Sequence, residues 1–246
     1  MPLKNIGFNL FMPNDDRFGN YNHEIVYNLL LSVEKNFSSV LKRPLNDKGI
    51  CCIDYRPGNP QCIKTHIGHH IFLSSREDYW CRWVYQFAHE YCHSIIDGAF
   101  TGEIKGLMWF EETICELSSM YHLHTLYSQW KTQAGVLYHY APNFLDYLNG
   151  LLSQNPQLLS ATLHPGFLST WLQLLQQQTY HRDYYNALAA KMYPLFVENP
   201  HLWKIILHFG DMQQWSSLGD LFQHLERNAT VDYVYSLKKL RLLLFS

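Results

Sequence analysis

The residues richest in chemistry lie in two neighbouring runs. The first is Phe87-Ala88-His89-Glu90-Tyr91-Cys92-His93, and the second is Trp109-Phe110-Glu111-Glu112-Thr113-Ile114-Cys115-Glu116. His89-Glu90-x-x-His93 fits the H-E-x-x-H pattern of helical zinc sites. On a helix, residues four apart are turned by only about 40° and raised by one turn, so both imidazoles face the same point. A catalytic zinc is tetrahedral, with three protein ligands and one open position. Held that way, zinc brings the pKa of a water molecule down toward about 7, which makes a nucleophile available at neutral pH. Glu90, one residue beyond the first histidine, can reach that water without binding the metal, the place of a general base. Two histidines leave one ligand to find.

One zincin branch supplies a third histidine six residues after the second, with a glycine between. Those positions here hold Ala99 and Ile96, so the pattern fails. The other solution is a glutamate from a second helix, and Glu112 follows His93 after a gap of eighteen residues. At this point the chain resembles the gluzincin metallopeptidases, the group that includes thermolysin and the zinc aminopeptidases. Their second helix reads Trp-Phe/Leu-x-Glu with an acid four residues after the ligand, and this chain has Trp109-Phe110-Glu111-Glu112 and then Glu116. The resemblance implies that Glu112 is the third Zn2+ ligand. A helix register differing by one residue would put Glu111 in its place. It also implies that Glu116 is the carboxylate that fixes the outer N–H of a ligand imidazole, a partner that zinc-bound histidines need.

The same resemblance implies a zinc-dependent metallopeptidase acting on a peptide or protein substrate. Glu90 is then the base and the proton shuttle to the leaving amine. Gluzincins add a Tyr or His from the helical half as a second donor to the oxyanion. The corresponding window holds Tyr180, His181, Tyr184 and Tyr185. Tyr184-Tyr185-Asn186-Ala187 resembles the aminopeptidase context, which puts Tyr184 first, Tyr185 second and His181 third. The Gly-x-Met-Glu-Asn strand by which zinc aminopeptidases bind a free amine has no counterpart between Gly49 and Ser75. An endopeptidase-like activity is therefore expected over an aminopeptidase. The alternative is a catalytically silent zinc-binding interaction protein on the same fold.

The elements that must position these residues divide the chain in two. An N-terminal α/β subdomain, 1–100, carries the H-E-x-x-H helix, and a mostly helical subdomain, 101–246, carries the third ligand. Together they predict a zincin-like α+β architecture with a small mixed sheet. The boundary is expected in the link punctuated by Gly98, Gly102 and Gly106. In the first part, Ile6–Met12 reads as a short strand. Ile25, Val26, Leu29, Leu30, Val33, Phe37, Val40 and Leu41 recur at helical spacing. Strands are expected over 49–55, 62–66 and 70–74, the first two separated by the Arg56-Pro57-Gly58-Asn59-Pro60 turn. Ser74-x-x-Glu77 reads as a capping box that opens the active-site helix. His66, His69 and His70 form a second histidine group, in which alternation would put His66 and His70 on one face. The helical part predicts helices over about 107–126, 145–159, 167–178, 184–196, 201–209 and 218–227, with a docked terminal segment over 237–245.

Composition narrows the function classes. With 246 residues the chain can bury a sizeable core. A net charge of -2, without long blocks of one sign, argues against phosphate-driven nucleic-acid binding. Aromatics at 15% against charged residues at 16% fit a packed globular chain and not a disordered one. The first thirteen residues have too short an apolar run for a secretory leader. No stretch has the apolar length of a membrane span. Six cysteines without C-x-x-C pairs read as reduced thiols, so a cytoplasmic protein is expected.

Overall fold

The computed structural model describes residues 3–47, 49–97, 106–177 and 180–245. The expected link residues Gly98 and Gly102, and Ala99, lie outside them, as does Gln178 at the expected end of one helix. The chain is mixed α+β, with a small mixed sheet near the N-terminus and a mostly helical remainder. It divides into two compact units, Met1–Ile95 with His122–Leu148, and Ile96–Tyr121 with Asn149–Ser246. No helix among the described residues is long and apolar enough to cross a membrane.

The first unit holds the sheet. Its strands are β1 (Leu3–Gly7), β2 (Leu10–Pro13), β3 (Ile50–Tyr55), β4 (Gln61–Thr65) and β5 (Gly68–Leu73). Their order is β1-β2-β3-β5-β4, with β2, β3 and β5 parallel and the two outer pairs antiparallel. The single strand expected over Ile6–Met12 is instead the hairpin of β1 and β2. Asn9 breaks it with a left-handed φ of 52°, a conformation that Asn tolerates better than most residues. The Asn9 side chain also donates to the Asn46 carbonyl, and Asn46 donates to that of Phe8. His66 falls in the turn between β4 and β5, so strand alternation does not pair it with His70. His70 stacks on Phe72 with centroids 4.2 Å apart, and its Nε2 stands 3.7 Å from Asp54.

Beside β1 packs α1 (His23–Leu41), whose Val26, Leu29, Leu30, Val33 and Phe37 are buried. Asn22 caps it by accepting from the Ile25 N–H. The helix that carries His89 and His93, α2, spans Trp80–Ile96 and begins later than Ser74-x-x-Glu77 predicts. Glu77 is left-handed at φ 54°, and its N–H donates to Phe18 O. Ser74 and Ser75 are occupied elsewhere: both of their N–H groups and the Ser75 hydroxyl donate to Gln86 Oε1 at 2.8–3.0 Å. Gln86 Nε2 donates in turn to Ser74 Oγ at 2.9 Å. This buried amide ties the end of β5 to α2, one turn ahead of His89 and Glu90.

The helix that carries Glu112 is α3, Met108–Trp130, a turn longer than expected. Gly106 precedes it at φ 54°, where a Cβ would come within 2.7 Å of the Met212 carbonyl. Only glycine fits there, and Leu107 N–H then donates to that carbonyl at 3.0 Å, anchoring the helix start. The helix expected over 145–159 is two helices, α4 (Val136–Leu152) and α5 (Pro156–Ala161). Pro156 opens the second at its first turn and disfavours helix at Asn155. Then come α6 (Phe167–Leu175), α7 (Arg182–Glu198), α8 (Leu218–Asn228) and α9 (Val234–Phe245). The segment expected as a helix over 201–209 is 3-10, Pro200–His208. The apolar C-terminus docks through Leu237, Leu240 and Leu244 of α9.

Candidate metal centre

The sequence of α2 places His89 and Glu90 on buried positions and leaves His93 half-buried. The imidazole rings of His89 and His93 lie 5.1 Å apart between centroids, as one helical turn demands. On α3, Glu111, Glu112 and Glu116 are all buried, at 7%, 8% and 2% exposure. Carboxylates are almost never this deep without partners, so three in six residues mark α3 as more than a packing helix.

One atom each from His89, His93 and Glu112 lies within 4.8 Å of the other two, the one such group of three or more ligating residues among those described. Glu111 is not part of it. Two imidazoles and a carboxylate make the donor set of a catalytic zinc, and tetrahedral bonds of about 2.1 Å put ligand atoms roughly 3.4 Å apart. The ligand atoms of this group, all within 4.8 Å of one another, are near that spacing. The residues present could therefore hold a metal ion. Cys92 and Cys115, both fully buried, are not in the group.

Two donors beside the acids come from α7 and the residues just before it. Tyr180 Oη donates to Glu112 Oε2 at 3.2 Å, and Asn186 Nδ2 stands 3.5 Å from Glu116 Oε1. Burial, and then the Glu112 carboxylate, push the Tyr180 hydroxyl well above the ordinary tyrosine value, so it stays a donor. The residue is 48% exposed while its hydroxyl end meets Glu112.

The expected oxyanion donors are placed differently. Tyr184 is half-buried, edge-on to Trp171 at 4.8 Å and to the His181 ring at 6.0 Å. Tyr185 is 1% exposed, and among the described residues its hydroxyl has no hydrogen-bond partner. Its ring meets that of Tyr180 edge-on at 5.1 Å, and burial raises its pKa. His181 Nε2 is likewise buried without such a partner. The aromatic that reaches Glu112 is thus Tyr180, which lies in the expected window but to which the motif context gives no rank. Its separation of 68 residues from Glu112 is the one sequence signal it carries. Asn186 has none.

Glu116 is expected to tune the metal without binding it. Glu116→Ala should weaken zinc affinity by about 10–100-fold, the usual cost of removing an outer partner of the ligands. Competition with a chromophoric chelator measures this, and unchanged affinity would leave Glu116 a purely structural acid. In comparison with known proteins, no family model, no curated protein and no solved structure matches this chain.

Proposed function

We propose that the chain is a zinc-dependent peptidase of the gluzincin type, with His89, His93 and Glu112 as metal ligands and Glu90 as the general base. The observation that carries this is the grouping of His89, His93 and Glu112 within 4.8 Å, with Glu90 next to the first ligand on the same helix. Zinc held by this donor set would acidify water and polarise the scissile carbonyl. His89 and His93 would bind through ring nitrogens and Glu112 through a carboxylate oxygen. Glu90 takes one proton from the attacking water as the new C–O bond forms. It delivers that proton to the amine nitrogen as the C–N bond breaks, so the carboxylate ends as it began. Buried at 7% exposure, it does this away from bulk solvent. Tyr184 and Tyr185 remain the proposed sources of a hydrogen bond to the oxyanion, Tyr184 first because its neighbour is almost wholly enclosed.

The substrate class proposed is a peptide or protein cut internally, since no amine-binding Glu motif precedes α2. The test is cleavage of a mixed peptide library followed by mass spectrometry. Cleavage should stop with a strong chelator and return on adding zinc. Zinc-loaded protein that cleaves nothing would favour the silent interaction module.

A further inference from the structure

The geometry points to Tyr180 as the residue that positions the metal-ligating carboxylate of Glu112. This inference rests on the metal centre proposed above and adds to it a residue outside the motifs. A glutamate side chain has three rotatable bonds, and a carboxylate can meet a metal through one oxygen or both. A ligand held in one orientation loses less freedom on binding, which is why outer partners of ligands affect affinity. The hydrogen bond from Tyr180 Oη to Glu112 Oε2, 3.2 Å long, fixes one of the two oxygens and with it the carboxylate plane. A donor on one oxygen favours binding of the metal through the other.

Tyr180 is itself held. Its ring packs edge-on against Tyr185, 5.1 Å away, and Tyr185 is almost completely buried at the start of α7. The next residue of the same helix, Asn186, stands beside Glu116. The segment 180–186 therefore faces two acids of α3 one helical turn apart, with a phenol on the first and an amide on the second. Packing alone needs no hydroxyl at position 180. The residue is half exposed, and a phenylalanine would fill the same contact with Tyr185.

The test compares wild type with Tyr180→Phe, Tyr184→Phe and His93→Ala. Zinc affinity is measured by chelator competition, and the visible absorption of the Co2+-substituted protein is recorded. Tyr180→Phe should bind zinc about 10–100-fold more weakly. Its Co2+ bands should shift, because the ligand field changes with carboxylate orientation. Tyr184→Phe should match wild type in both. A merely structural role for Tyr180 would leave the Co2+ spectrum unmoved. Unchanged zinc affinity and spectrum in Tyr180→Phe, with zinc lost in His93→Ala, would overturn this inference and leave the metal centre standing. Wild type that binds no zinc would remove both.

Discussion

Glu90→Gln is expected to keep the fold and the metal and to lose peptide hydrolysis by about 10²–10⁴-fold, the range for removing a positioned general base. The substitution is nearly isosteric, and the amide can take the same buried place on α2. It cannot accept a proton at neutral pH. Glu90 is outside the group of three ligating residues, so zinc content should stay at the wild-type level. The pair of readings separates this role from a structural one. A structural glutamate would show its loss in thermal stability and not in the rate of the zinc-loaded enzyme. Hydrolysis by Glu90→Gln at the wild-type rate would refute the assigned mechanism, whatever its metal content.

The parts of the site that follow helical periodicity were legible in the sequence. The spacing of His89 and His93 fixes their common direction once α2 forms, and apolar residues through Trp83, Val84 and Phe87 make that helix nearly obligatory. Glu112 is singled out in the sequence only by the resemblance of its Trp-Phe-x-Glu frame, and it lies in the group with His89 and His93. Tyr180 and Asn186 were not ranked, because their link to α3 spans 68 and 70 residues and depends on how α7 packs. No local pattern encodes such a contact. The helix start failed for a different reason. Ser74 and Glu77 have the spacing of a capping box, but Gln86 competes for Ser74 and its neighbour and wins through four hydrogen bonds. The strand misread at Ile6–Met12 turned on one residue, Asn9, whose left-handed backbone folds the run back on itself.

The proposed metal ligands carry the second large effect. Removing one imidazole or the carboxylate leaves two protein ligands, too few for a tight tetrahedral site. His93 is the half-buried member of the group, so its loss should disturb packing least. Glu112→Ala tests the residue on the other helix. It also leaves the Tyr180 hydroxyl without its acceptor, so circular dichroism is needed beside the metal measurement to show that the variant is folded. Activity should fall with metal content in both variants, because no other group of three or more ligating residues is formed among the described ones.

Metal analysis of purified wild-type protein beside folded His93→Ala and Glu112→Ala is the most direct test of the metal centre. One zinc per chain in the wild type, falling to near zero in both variants, is the expected result. Zinc content unchanged by either substitution would contradict the assignment of His89, His93 and Glu112.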